Sequence, residues 1–220
     1  MRKVEIRDLG RLGYAEAYAL QKQLVGERQR GEIGDRLLLL EHPRVITMGR
    51  NGSEQNLRAS REELERLGIE FHETDRGGDV TYHGPGQLIA YPILDLREWK
   101  CDVRAYVNAL EQAVIEVLGE FGIKAGREPG MRGVWVNGAK IAAIGVHISR
   151  WITSHGLALN VNPELEYFRY IVPCGLKKPV TSMRREGSQA SLSEVSETLA
   201  RRFGAVFERE PAAAELEKVE

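Results

Sequence analysis

The chain has 220 residues, with 31 Lys plus Arg against 32 Asp plus Glu and a formal net charge of −1. That length suits one domain whose core needs no covalent staples, and the even charge leaves no electrostatic footprint for nucleic acid or an anionic membrane. No apolar run of about 18 residues predicts a membrane span, the charged start MRKVEIRDLGRLGY has no apolar centre of a signal peptide, and two distant cysteines, Cys101 and Cys174, argue against both a disulfide framework and structural zinc. The expectation is a soluble protein of a reducing compartment.

The alternation in KVEIRDL predicts a strand, and YAEAYALQKQLVGERQRG an amphipathic helix. Tyr14, Tyr18, Gln21 or Lys22, and Val25 lie about a turn apart, and the helix runs out towards Gly31. DRLLLLEH fits a strand buried on both faces, and RVITMGR a further strand. In SREELERLG, Ser60 is the N-cap, Glu63 its box partner and Gly68 the stop. IEFHETD and GQLIAYPILDL read as strands. DVRAYVNALEQAVIEVLGEFG is a helix capped by Asp102, with an apolar stripe through Val103, Tyr106, Val107, Leu110, Val114 and Val117. GVWVNGAKIAAIGVHIS predicts a hairpin turning at Asn137-Gly138, SHGLALNVN a strand, and SLSEVSETLARRFGAVF the closing helix. A polar, alanine-rich tail after about residue 210 is expected to fray. Strands in runs with few helices between them favour an α+β fold over a doubly wound one.

Four segments carry residues with chemistry. RGGDVTYHGPGQ, Arg76 to Gln87, sets four glycines, an arginine and His83 in what reads as a long loop, either a well-made turn or main chain laid against a ligand. It is neither a P-loop nor a dinucleotide fingerprint. In GAKIAAIGVH, strict alternation puts Lys140, Ala142, Ile144 and Val146 on one face and Ile141, Ala143, Gly145 and His147 on the other. The small residues clear space mid-strand, and Lys140, just past a turn, reads alone as a solvated edge lysine. His155 and Gly156 open the SHGLALN strand, where a histidine is more often structural than catalytic. In VPCG, Pro173 and Gly175 predict an irregular turn at Cys174, whose thiol is either a small packed hydrophobe or, in an unusual electrostatic setting, a nucleophile. Singly, the structural readings are the stronger ones. They leave the four segments together without an explanation.

Together, RGGDVTYHGPGQL, GVWVNGAKIAAIGVHISRWITSHGLALNVN and VPCG followed by VTS closely resemble the lipoyl(octanoyl) transferases of lipoate biosynthesis, the octanoyl-[acyl-carrier-protein]:protein N-octanoyltransferases. The three motifs stand in the family's order, and LLLLEHPRVITMGR is similar to its early strands. The resemblance implies a biotin/lipoate protein ligase-like fold over 1–220, with a mixed, largely antiparallel sheet packed with helices around an acyl tunnel. It implies a catalytic dyad of Cys174 and Lys140. It implies substrate contacts from Arg76, Gly77, Gly78, Asp79, Val80, Thr81, Tyr82 and His83, from Ala143, Ile144 and Gly145, and from Gly156, Leu157 and Ala158, with no metal or cofactor. The implied donor is octanoyl-acyl-carrier protein. The implied acceptors are lysines on lipoyl domains of 2-oxoacid dehydrogenase complexes and on the glycine cleavage H protein, in the cytoplasm, with neither nucleic acid nor membrane as partner. Cys101 lies outside every motif.

The chemistry suits those residue types. Thioester exchange onto a cysteine is nearly balanced, but a thiol of pKa about 8.5 is only about 3% ionised at pH 7, and a neighbouring ammonium raises that fraction. Backbone amides at Gly77, Gly78 or Gly175 are candidate oxyanion donors, His83 and His155 candidate orienting groups, and Ala143, Gly145 and Ala158 a candidate slot for the acyl chain. Arg76, Arg132, Arg150, Lys177 and Lys178 are candidates for a basic patch facing acidic partners. The nearest alternative is an ATP-dependent lipoate or biotin protein ligase, although the chain has no GRGRxGR-type loop. A cysteine hydrolase using His147 or His155 would leave Lys140 without a purpose, and a non-catalytic acyl-binding or lipoyl-domain adaptor would leave the whole dyad without one.

Overall fold

A computed structural model describes residues 2–172 and 178–213. Its strands are β1 Arg2–Arg11, β2 Asp35–Glu41, β3 Val45–Met48, β4 Glu70–Glu73, β5 Val80–His83, β6 Gln87–Ile93, β7 Gly126–Glu128, β8 Met131–Val136, β9 Ala139–Ser149, β10 Ile152–Asn160 and β11 Arg209–Ala213. The α-helices are α1 Tyr14–Arg30, α2 Arg61–Arg66, α3 Val103–Glu120 and α4 Leu192–Phe207. A large sheet runs β11-β1-β2-β6-β10-β9-β8-β7, and a small one runs β4-β3-β5. In the large sheet β1 pairs in parallel with β2 and β11, and the other pairings are antiparallel. The expected α+β class with a mixed, largely antiparallel sheet is what the chain forms.

The run of leucines in β2 explains the layering. Leu37 and Leu39 point into the cluster under α3 and α4, while Leu38 and Leu40 point into the cluster under α1, so both faces are covered and the strand needs no polar alternation. Asp102 caps α3 by accepting the amides of Arg104 and Ala105, and α1 ends on Gly31 in the left-handed conformation. Asn137 and Gly138 both take positive φ, 49° and 79°, as the two-residue hairpin requires.

Several expectations change. The stretch Arg76–Gln87 is not all loop, because Val80–His83 forms β5 against β3. Ser60 accepts the Glu63 amide, but the reciprocal box forms at Ser191 and Glu194 of α4. The buried stripe of α1 is Tyr14, Ala17, Gln21, Leu24 and Arg28, and Val103 at the start of α3 is 49% exposed. The segment after α4 does not fray at once. Arg209–Ala213 adds an edge strand to β1, anchored by the buried Arg209, whose Nε donates to Asp35 Oδ2 at 2.8 Å. No helix among the described residues is long and apolar enough to cross a membrane.

Candidate active site

A cavity of about 530 Å³ opens between the small sheet and strands β9 and β10. Arg76, Gly77, Gly78, Asp79, Val80, Thr81 and His83 line it, as do Ala143, Ile144, Gly145, Gly156, Leu157 and Ala158, and Lys140 reaches it too. The motifs the sequence singled out therefore converge on one cavity, although they lie far apart along the chain. Tyr82 is the exception. It turns away from the cavity into the apolar cluster of the small sheet, stacked on Tyr167 at 5.5 Å.

The glycine loop is docked rather than open. Gly77 N donates to Val146 O at 2.8 Å, and Arg50 N and Asn51 N donate to Arg76 O and Gly78 O. Arg76 is buried. Its Nη2 donates to Thr47 O at 2.7 Å and to Thr47 Oγ1 at 2.9 Å, so its charge is not part of a surface patch. Asp79 ties the loop's far end, accepting from Val80 N at 2.7 Å and from Asn56 Nδ2. Gly145 is what allows this docking: a Cβ there would lie 2.9 Å from Gly77 O and 3.2 Å from Arg76 Cδ.

Lys140 owes its orientation to a bulge. Val134 pairs with Ala142 and Trp135 with Lys140, so β9 carries one residue more than β8 over this step. Val134 and Ala142 face the cluster under α3 and α4, which puts Trp135 and Lys140 on the opposite side, with Ala143 and Gly145. Strict alternation had set Lys140 with Ala142, Ile144 and Val146, and the bulge at Ile141 reverses that. The ammonium sits 4.8 Å from the Trp135 ring centroid. The Lys140 main chain also anchors a neighbouring segment, its N–H donating to Pro179 O and its C=O accepting from Thr181 N, both at 2.9 Å.

A chain of buried amides leads to the same place. His83 Nδ1–H donates to Gln87 Oε1 at 3.1 Å, Gln87 Nε2 donates to Asn160 Oδ1 at 3.0 Å, and Asn160 Nδ2 donates to Thr181 O at 2.9 Å. Burial holds His83 neutral, with its pKa pushed down to about 3. His42 is likewise pushed down to about 4 by burial, its Nδ1–H donating to Leu12 O and its Nε2 accepting from Tyr91 Oη. His155, at the start of the strand motif, takes φ 55° and donates from Nε2 to Asp75 Oδ1 at 2.7 Å. Burial lowers its pKa against the pull of that carboxylate. Burial opposes the charge on Asp75, but hydrogen bonds from His155 and Tyr18 and the nearby His147 leave its pKa below the usual value.

Residues 13–204 match the family model described as the lipoyl protein ligase A/B catalytic domain. An octanoyltransferase from Solibacter usitatus is 62% identical over 210 residues, 96% of each chain. The chain belongs to the octanoyltransferase family. A second octanoyltransferase, from Koribacter versatilis, is 52% identical over 94% of this chain and 85% of its own. In fold, the chain is similar to a bipartite lipoate protein ligase from Thermoplasma acidophilum, with a TM-score of 0.74 at 14% identity over 98% of this chain and 89% of that one. The family read from the three motifs, and the lipoate ligase-like α+β fold it implied, are thus those of the protein.

As an octanoyltransferase-family chain, it places every substrate-contact residue named from the motifs on the cavity except Tyr82. Cys174, with Gly175 and Lys177, lies outside the described residues. Cys101 is exposed and does not line the cavity. Sequence reasoning passed over Asn160, Gln87 and Trp135. The first two stand inside quoted motifs as ordinary polar residues, and only their burial, 5% and 1% exposed, marks them as structural wiring.

Proposed function

We propose that this chain, acting as a single catalytic domain in the cytoplasm, moves an octanoyl group from the thioester of an acyl-carrier protein to a lysine of a lipoyl domain, through a thioester on Cys174 with Lys140 as its partner. One observation carries the reading. The bulge turns Lys140 into the cavity, and the same residue's main chain holds Pro179 and Thr181, just after the segment that contains Cys174.

In the first half-reaction the Cys174 thiolate attacks the donor thioester, the new C–S bond forms, and the carrier's thiolate leaves. The Lys140 ammonium favours the attacking thiolate. Acylation removes the negative charge beside Lys140 and makes its ammonium less favoured. The Lys140 proton passes to the departing carrier thiolate, which leaves as the free thiol, and Lys140 is left neutral. In the second half-reaction the acceptor amine attacks the acyl carbon, its proton passes to neutral Lys140, and the Cys174 thiolate departs, which restores the ion pair. Dyad groups of this kind titrate together. The Gly77 amide is committed to Val146 O, so of the two loop amides it is that of Gly78 that is the candidate donor for the oxyanion. The octanoyl chain lies along the cavity, where burying its methylenes is worth about 0.8 kcal/mol each.

The test is the intact mass of the protein after incubation with octanoyl-carrier protein, in parallel with Cys174→Ser and Lys140→Ala. One octanoyl increment, released by hydroxylamine and missing from Cys174→Ser, supports the thioester. Octanoylation of a lipoyl domain by an enzyme that never carries the increment would remove the covalent step, and a requirement for ATP and magnesium would return the chain to the ligases.

A further inference from the structure

Glu111 stands in the middle of α3, 2% exposed, outside the cavity lining. A buried carboxylate is costly unless its oxygens are bonded, and both are. Oε2 accepts from Arg127 Nε at 2.9 Å, while Oε1 accepts from the Gly133 amide at 3.1 Å. Arg127, on β7, has a side chain 41% exposed and holds other partners on α3, Asn108 O at 2.8 Å and Gln112 Oε1 at 3.2 Å.

Gly133 is the residue beneath the Lys140 stem. It has φ 108°, and a Cβ there would lie 3.4 Å from Lys140 Cε, 3.6 Å from Cδ and 2.5 Å from Ala142 O. The register shift that turns Lys140 into the cavity lies one residue further on, between Val134 and Trp135. The carboxylate of Glu111 therefore fixes the amide of a residue that lies against the Lys140 stem and just before the bulge.

We infer that Glu111 is a positioning residue for Lys140, setting the direction of its ammonium by pinning Gly133. This rests on Lys140 having the role proposed above. A merely structural Glu111 would serve to tie α3 to β7 through Arg127, and the two bonds can be separated. Arg127→Gln removes the ion pair and leaves the Gly133 bond. Glu111→Gln leaves an acceptor for Gly133 but replaces a charge-assisted bond by a weaker neutral one. Glu111→Ala removes it.

The readout is the pH dependence of Lys140 acetylation by acetic anhydride in the full chain, mapped by peptide mass with the exposed Lys124 as internal reference, beside the pH–rate profile of transfer. Glu111→Ala is expected to lower kcat about tenfold or more with little change in KM, and to move the Lys140 labelling midpoint by about half a pH unit or more. Glu111→Gln recovers most of the rate but keeps a smaller shift, and Arg127→Gln shifts neither. If Glu111→Ala does not fold, the contrast between Glu111→Gln and Arg127→Gln decides. Unchanged Lys140 labelling in the Glu111 variants, or an equal shift in Arg127→Gln, overturns the inference. Full transfer by Lys140→Ala would instead defeat the proposed role of Lys140, while the labelling would still report whether Glu111 positions it.

Discussion

Lys140 and Trp135 face one another across the β8–β9 pair, the ammonium 4.8 Å from the indole ring centroid. A ring face attracts a cation by about 0.5–2 kcal/mol, depending on solvation, and about 1.4 kcal/mol corresponds to one pKa unit. Trp135→Leu removes that attraction, so Lys140 gives up its proton more readily. The rising limb of the transfer pH–rate profile is expected to move to lower pH by about half a unit or more. A profile that stays in place would mean the ring only fills space.

Gly145 and Ala143 share a face of β9 but should respond differently to enlargement. Gly145 is filled from the loop side, by Gly77 O and Arg76 Cδ. Gly145→Leu is therefore expected to undock the loop and slow transfer of hexanoyl, octanoyl and decanoyl groups alike. Ala143, paired with Ala158 on the cavity wall, is the position where Leu should favour the shorter chain. Rates with the three acyl-carrier thioesters separate the cases, and a shortened preference in Gly145→Leu would place the acyl slot there after all.

The neutral, buried histidines make stability fall with acidification. An unfolded histidine titrates near 6.5, whereas His42 and His83 are held down to about 4 and about 3, in each case chiefly by burial. Above 6.5 neither state binds these protons. As pH falls below 6.5 the unfolded chain takes them up and the fold does not, so stability is lost, and the loss levels off only below each folded value. At pH 5 the loss is about 2 kcal/mol for each such histidine. Urea unfolding at pH 7.5 and 5.0 is expected to show a smaller difference for His42→Gln than for the wild type. Equal differences would mean that His42 takes up its proton in the fold as easily as in the unfolded chain.

Much of this was legible in the sequence where one residue type has one local use. The Asn137-Gly138 turn, the Asp102 cap and the leucine run of β2 followed from backbone sterics and burial alone. The α1 stripe was legible only in part. Tyr14 and Gln21 were on it and are buried, Gln21 Oε1 accepting the His155 amide. Ala17, Leu24 and Arg28 were missed, Arg28 being polar by sequence yet bonded inside through Nε to Asp35 Oδ1. The orientation of Lys140 was also hidden. A period of two cannot foresee a bulge, which breaks the alternation at one residue. β11 escaped notice because REPAA has little strand propensity, and it is pairing with β1 and the buried Arg209 that makes it a strand.

Asn160 supplies a final prediction. Its amide joins Gln87 to the Thr181 carbonyl, and Thr181 is in turn held by Lys140. Asn160→Ala leaves a buried carbonyl and an amide without this partner, at a cost of about 1–3 kcal/mol. The melting temperature is expected to fall by about 2–4 °C for each kcal/mol lost. Because Thr181 is also released beside Lys140, transfer measured well below the melting transition should fall as well. A destabilised but fully active Asn160→Ala enzyme would confine the network to stability.

The pairing of β1 with β11 also bears on how the protein is made. Arg2 leaves the ribosome long before Arg209, the residue it will lie beside, and the second oxygen of Asp35 waits as long for its guanidinium. Throughout synthesis, then, one side of β1 is a bare edge that a neighbouring nascent chain could join. The strand RKVEIRDLGR carries charges along nearly its whole length, and charged side chains are what discourage edge-to-edge pairing between molecules. Its composition protects the growing chain on the polysome until its own β11 arrives.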